Sequence, residues 1–320
     1  MITFQDIVAA RERIKEYIYR TPLELSMGLS SENCKVYLKL ECQQKLKSFK
    51  ARGALSKMTL LSEEEKKKGI LAVSSGNHGA GVSYSSYILG GIRAKIYVPR
   101  TTPGAKLDKM RYYGAEVILE GDNYDEAHEA ALKALKKEEL TFVDPCSDAD
   151  VIAGAGTVAL EILEQNPDID TIVVPIGGGG LITGVGVAAK SLKPGIKVIG
   201  VQTSACPAMV HSMRDKKCYE VYPNEPSICE ALVGGVGEIP YEMSAQCIDQ
   251  IIEVDEGEIR KAVVYLLDKE KVVSEPSGAV GVAAFMSNPE IFKNRKTAFI
   301  ITGGNLDAKL MKALVNENIG

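Results

Sequence analysis

The segment "TIVVPIGGGGLITG", Thr171 to Gly184, runs from a β-branched apolar stretch through four consecutive glycines into a second apolar stretch. Valine and isoleucine favour extended backbone, and Thr171 to Ile176 is apolar enough for a strand buried on both faces. "LITGVGVAAKSL" after it reads as a helix. A strand that passes through a glycine turn into a helix is the repeating half of a parallel α/β sheet. Gly177, Gly178, Gly179 and Gly180 would let backbone N–H groups approach an anion closely, and the helix N-terminus adds a favourable partial charge. The loop lacks the lysine and hydroxyl of G-x-x-x-x-G-K-[ST], so it is not a nucleotide P-loop. A phosphate cradle is one reading of it. The other is a tight turn that merely needs glycine.

Working outward, the same rhythm fills the first two-thirds of the chain. "KVYLKLE" alternates Val36, Leu38 and Leu40 as a strand does. "GILAVSS", "AKIYVP", "AEVILEG", "TFVDP" and "KVIGVQT" read as further strands. Helices are predicted over "GAGVSYSSYILG", "AKLDKMRYYG", "YDEAHEAALKALKKE" and "GTVALEILEQ". "TFQDIVAARERIKEYIYR" is an opening helix with Thr3 and Asp6 placed as a capping box, and Ser62 with Glu65 starts a short exposed helix or turn ending at Gly69. No repeat, low-complexity tract or Pro/Ser-rich linker interrupts the pattern, so a second domain is expected as an insertion.

With 320 residues, 45% apolar and 25% charged, the composition is that of a globular protein with a large core. A net charge of -4 gives no reason to expect nucleic acid. No apolar run approaches the roughly 20 residues that span a bilayer, and the N-terminus lacks the basic start and apolar core of a secretory signal. A cytoplasmic location with no membrane partner is expected. The seven cysteines are odd in number and lack C-x-x-C spacing, so free thiols are expected. His78, His128 and His211 lie far apart, and no metal site is expected from such ligands.

Three other segments could carry chemistry. "SSGNHGAG" from Ser74 to Gly81 ends a strand and opens a helix, a place suited to gripping a carboxylate. Ser74 as a cap and Asn77 as a turn residue would read the same way. "FIITGGNLD" ends an apolar strand at Thr302, where a plain strand-end residue is the alternative. "KLKSFKARGA" puts Lys50 between Phe49 and a small residue, either as a solvated loop or as a lysine held for covalent chemistry.

"SFKARGA", "SSGNHG", "PIGGGGL" and "ITGGN", in this order and spacing, resemble the fold-type II pyridoxal-phosphate enzymes. "VIAGAGTVALEI" and "EPSGAVGVAA" are similar to the threonine dehydratase/serine racemase branch, and the likeness covers nearly the whole chain. The resemblance implies two parallel-sheet α/β domains, a large one from residues 1–50 and 147–320 and a smaller inserted one from 51–146. It also implies a homodimer. It places the Schiff-base lysine at Lys50, with Phe49 and Gly53 packed around it. The phosphate loop falls on Gly177, Gly178, Gly179, Gly180 and Leu181. Asn77 would stand beside the cofactor's phenolic oxygen and Thr302 at its pyridine nitrogen. The substrate carboxylate would lie on Ser74, Ser75, Gly76, Asn77 and His78. The activity it implies is β-elimination from threonine or serine to a 2-oxo acid and ammonia.

Ser75 stands where the racemases of the branch carry a serine serving the opposite face of the substrate, so an amino-acid racemase is the second reading. The branch's divalent-cation site is poorly kept. Gln202 and Ala208 replace its acidic ligands, and Cys229-Glu230-Ala231 replaces its "ADG". The chain leaves no room for a C-terminal regulatory domain after "ITGGNLD", so a catabolic or unregulated role is expected.

Overall fold

The backbone follows the alternation of β-branched and helical stretches. In the computed structural model, which describes residues 1–318, the strands are β1 (Leu23–Leu25), β2 (Lys35–Lys39), β3 (Ile70–Val73), β4 (Ala94–Val98), β5 (Glu116–Leu119), β6 (Thr141–Phe142), β7 (Thr171–Pro175), β8 (Lys197–Thr203), β9 (Gln250–Val254) and β10 (Lys296–Ile300). The helices are α1 (Phe4–Ile14), α2 (Lys50–Met58), α3 (Glu63–Lys68), α4 (Asn77–Ile88), α5 (Gly104–Tyr112), α6 (Tyr124–Glu138), α7 (Ala149–Gln165), α8 (Gly180–Leu192), α9 (Ala208–Asp215), α10 (Glu238–Cys247), α11 (Glu256–Asp268), α12 (Pro276–Ser287) and α13 (Ala308–Asn318).

Two sheets result, ordered β1-β2-β10-β7-β8-β9 and β5-β4-β3-β6. All pairings are parallel except that of β1 with β2, an antiparallel edge that the sequence reading did not anticipate. Period-two burial splits each sheet into two apolar faces. Ile172, Val174, Val198 and Ala298 join the core on one side of the larger sheet, and Val173, Ile199, Val201 and Phe299 the core on the other. Ile70, Ala72 and Ile96 face one way in the smaller sheet, Leu71, Val73 and Tyr97 the other.

Both sheets have a point where strand order reverses, beside β10–β7 in one and beside β3 in the other, and such points open a crevice at the strands' carboxyl ends. The loops after β3, β6, β7 and β10 leave from these ends. They carry Ser74–Asn77, Asp144–Ser147, Gly177–Gly179 and Thr302–Asn305.

Two helices differ from expectation. The first stops at Ile14 with Lys15 as its C-cap, and Tyr17 N–H turns back to the Ile14 carbonyl at 2.9 Å. Beyond this, the Gln44 side chain accepts from the Tyr19 N–H at 2.8 Å and donates to the Tyr19 carbonyl at 2.7 Å. α7 begins at Ala149, seven residues before the expected start. Gly154 and Gly156 let three helices touch backbone to backbone. A Cβ on Gly154 would lie 2.5 Å from the Arg52 carbonyl, and one on Gly156 2.8 Å from that of Gly184.

Candidate active site

Lys50 opens α2, and the chain leading to it is held in an unfavourable conformation. Leu46 and Lys47 both have φ near +60°, a region costly for residues with a Cβ. Backbone bonds from the end of β10 keep the segment there. Phe49 N–H donates to the Thr302 carbonyl at 3.1 Å, Gly304 N–H to the Lys47 carbonyl at 2.9 Å, and Ser48 bridges Gly303. The Lys50 ammonium lies 3.0 Å from the Pro145 carbonyl and 5.2 Å over the centre of the Phe49 ring. Gly53 does not pack around the lysine. A Cβ there would meet Val151, so this glycine lets α2 close on α7. Of the neighbouring lysines, Lys47 is exposed, whereas Lys45 lies over the Tyr19 ring at 4.0 Å from its centre.

Arg52, two residues beyond Lys50, is fully buried and grips two carboxylates. It meets Glu41 through Nε and Nη2 at 2.8 Å each, and Glu161 through Nη1 at 2.7 Å and Nη2 at 3.0 Å. Lys39 balances the charge, donating to Glu161 at 2.6 Å, to the Thr21 carbonyl at 2.8 Å and to Gln165 at 3.0 Å. This buried network ties β2, α2 and α7 together behind the lysine.

In the loop after β7, Gly179 has φ +91°, which glycine alone adopts without strain. A Cβ on Gly177 would meet the Ala231 carbonyl at 2.9 Å, and one on Gly178 would collide with the Cys146 thiol. No N–H from Gly177 to Leu181 donates to any described residue. Five amides at and just before the N-terminus of a 13-residue helix are thus without acceptors among the described residues, an arrangement that suits a phosphate. Thr302 is 5% exposed and its hydroxyl has no partner among the described residues. Burial pushes the Cys146 thiol up to about 11, against the pull of Lys50.

The loop after β3 divides its labour. Ser74 Oγ accepts the N–H of Gly76 at 3.2 Å, so Ser74 shapes the turn. The N–H groups of Ser75, Asn77 and His78 remain without acceptors among the described residues, and the Ser75 hydroxyl is likewise free. The His78 imidazole is turned away, donating from Nε2 to the Val143 carbonyl at 2.8 Å. Burial, reinforced by Lys50, pulls it down to about 4. Asn77 Nδ2 donates to Glu275 Oε1 at 2.7 Å, and Asn77 Oδ1 accepts from Asn305 Nδ2 at 2.7 Å. Burial pushes the Glu275 carboxyl up, while the bond from Asn77 pulls it down. Glu275, Asn305 and Cys146 were not singled out from the sequence. Glu275 lies in "EPSGAVG" and Asn305 in "ITGGNLD", but neither segment marks its partner.

The crevice thus gathers a lysine, an anion cradle, the unpartnered hydroxyl of a largely buried threonine and a second set of free amides. A family model for pyridoxal-phosphate dependent enzymes matches residues 14–303. The chain belongs to that family. Among curated pyridoxal-phosphate enzymes, the L-threonine ammonia-lyase of Thermotoga maritima is 44% identical over 100% of this chain and 79% of its own length. Among solved structures, the processed threonine deaminase isoform 2 of Solanum lycopersicum superposes with a TM-score of 0.92 at 34% identity, covering 98% of this chain and 92% of that one. Maize serine racemase superposes with a TM-score of 0.91 at 32% identity, covering 99% and 97%. The free amides of Gly177–Leu181 and the unpartnered Thr302 hydroxyl are what pyridoxal phosphate requires at its phosphate and its ring, so the residues present fit the cofactor.

They do not fit the divalent cation of the branch. Gln202 is fully buried and its amide is spent within the protein. Its Oε1 accepts from Met209 and Val210 at 3.0 and 3.1 Å, capping α9. No cluster of three His, Cys, Asp or Glu suited to a metal occurs among the described residues. Glu230 pairs with Lys106 at 2.5 Å, and no helix among the described residues is long and apolar enough to cross a membrane.

Proposed function

We propose that this protein eliminates the β-hydroxyl of threonine or serine, releasing a 2-oxo acid and ammonia. The observation that carries the reading is a half-buried lysine and a loop of amides without acceptors in one crevice, on a chain 44% identical to an L-threonine ammonia-lyase. When bound, pyridoxal phosphate supplies an electron sink conjugated to the substrate α-carbon. Lys50 would hold it covalently, Phe49 would flank it, and the amides of Gly177, Gly178, Gly179, Gly180 and Leu181 would bind its phosphate. Asn77 would face its phenolic oxygen and Thr302 its ring nitrogen. A neutral hydroxyl at that nitrogen would not hold a proton there as a carboxylate would, a setting suited to prompt loss of the β-hydroxyl. The free N–H groups of Ser75, Asn77 and His78 would orient the substrate carboxylate, with Ser74 and Gly76 shaping that turn. Once released, the Lys50 amine accepts the α-proton.

We further propose that residues 51–146, which contain all strands of the smaller sheet, form the inserted domain, and 1–50 with 147–320 the larger. A cytoplasmic homodimer is the assembly consistent with the free thiols and with the family. The racemase reading is favoured by one observation, the unpartnered Ser75 hydroxyl. Inversion needs a second proton-carrying group opposite Lys50, and Ser75 is the candidate.

Borohydride reduction and peptide mapping should find the cofactor on Lys50. L-threonine and L-serine should yield 2-oxobutanoate and pyruvate. A label on Lys47, or none, would sink the assignment. Ser75→Ala should spare elimination from the L-substrate and abolish any L/D exchange or action on D-serine. A wild-type protein without such exchange would make Ser75 a structural residue only.

A further inference from the structure

A side-chain amide has one end that only accepts and one that only donates, so the sense in which Asn77 is held decides what it can bind. Three other side chains determine that sense. The Lys109 ammonium, which can only donate, lies 2.8 Å from Asn305 Oδ1 and 3.1 Å from the Leu46 carbonyl. Asn305 must therefore turn its Nδ2 the other way, where it donates to Asn77 Oδ1 at 2.7 Å and to the Leu46 carbonyl at 2.9 Å. With its oxygen so engaged, Asn77 presents Nδ2 to Glu275, whose Oε1 accepts from it at 2.7 Å. Turning over Asn77 would set donor against donor or acceptor against acceptor at two contacts, and turning over Asn305 at three.

The members come from α5, the loop after β10, the N-terminus of α4 and the N-cap of α12. Glu275 is seated by its own N–H, which donates to the Gly303 carbonyl at 2.9 Å. A Cβ on Gly303 would collide with the Glu275 carboxylate and lie 3.3 Å from Asn77 Nδ2, so the first glycine of "GGN" keeps room for the pair.

We infer that Lys109, Asn305 and Glu275 are positioning residues that hold Asn77 in one sense, leaving its second N–H as a donor to the cofactor's phenolic oxygen. The inference rests on the proposed placement of Asn77 beside that oxygen. An inverted Asn77 would present a carbonyl lone pair to a phenolate and repel it. Lys109 and Asn305 also share the Leu46 carbonyl, so the same pair restrains the left-handed stretch that leads into Lys50.

The test titrates apo-variants with pyridoxal phosphate and reads two quantities that need no turnover: the dissociation constant and the position of the bound cofactor's long-wavelength absorption band. Asn77→Ala sets the reference. Asn305→Asp keeps the shape but has no N–H to give. It should weaken binding about tenfold, the worth of one hydrogen bond, and move the band as Asn77→Ala does. Asn305 is exposed, so this exchange leaves the core intact. Lys109→Met should act in the same direction. Glu275→Leu should weaken binding, and Glu275→Gln, which still offers an accepting oxygen, should restore both readouts. If Asn77→Ala changes them while Asn305→Asp and Lys109→Met change neither, the relay is overturned. If Glu275→Gln is as poor as Glu275→Leu, charge and not amide sense is what matters, and the argument is overturned there. If Asn77→Ala itself changes nothing, the placement of Asn77 at the cofactor fails, and the relay falls with it.

Discussion

His78 shows what one residue's surroundings add to its type. In the sequence it belongs to a loop suited to a carboxylate. In the fold it gives Nε2–H to the Val143 carbonyl, and its Nδ1 is buried without a partner among the described residues. A neutral ring so placed cannot attract a carboxylate, so the loop's contribution comes from its backbone N–H groups. The folded histidine takes up a proton only near pH 4, whereas an unfolded one does so near pH 6.5. Between those values the unfolded chain binds more protons. Its share of the stability is therefore complete above about pH 6.5 and is lost as the pH falls towards 4, with a limiting slope of about 1.4 kcal/mol per pH unit. Urea unfolding of apoprotein at pH 7, 6 and 5 should show this slope, and His78→Gln should flatten it. An equal slope in the variant would assign the effect to other groups. Asn77 and Thr302 lie in short motifs after strands and Lys50 in one that opens a helix, and it was the order of the motifs together, not any one alone, that singled these residues out. Glu275 and Asn305 were not singled out, because what distinguishes them is contact with Asn77, 198 and 228 residues away along the chain.

Among the elements, α2 matters most, because it carries Lys50 at its first turn and Arg52 on its buried side. Its glycine and alanines allow close approach to α7, and the Arg52–Glu41–Glu161–Lys39 network fastens it there. Two cations and two carboxylates balance, with every Arg52 and Lys39 donor engaged within the protein. Removing one member leaves an uncompensated charge in the interior, a loss of about 3–5 kcal/mol. Arg52→Met should lower the stability measured by denaturant by about that amount. Arg52→Lys, which keeps the charge but not the paired bonds, should fall between the two. A cost under about 1 kcal/mol for Arg52→Met would mean that the network does not clamp α2. The capping boxes of Thr3–Asp6 and Ser62–Glu65 were readable at this scale and form as expected. The early start of α7 was not, since what Gly154 and Gly156 do depends on α2 and α8 being laid against them.

At the scale of the molecule, the crevice draws on both sheets. The loops after β7 and β10 come from the larger one, and the loops after β3 and β6 from the smaller. A cofactor held between them binds only the assembled chain, so at a thousandfold excess over its dissociation constant it should add roughly 4 kcal/mol to the folded state. Stripping the cofactor should lower the unfolding temperature by several degrees, and adding it back should restore it. Equal unfolding temperatures for the two forms would mean that the cofactor does not join the two sheets. The sequence by itself determined the strand–helix alternation, the glycine turn and the capping boxes of α1 and α3. Each of these is written in contiguous residues, as a hydrophobic period, a run without Cβ atoms or a cap. Only the tertiary structure decided that β10 lies between β2 and β7, that β1 runs antiparallel, and that Asn77 meets Glu275 and Asn305. Those outcomes depend on which distant surfaces pack together, and a hydrogen-bonding side chain carries no local mark of the partner that packing will bring to it.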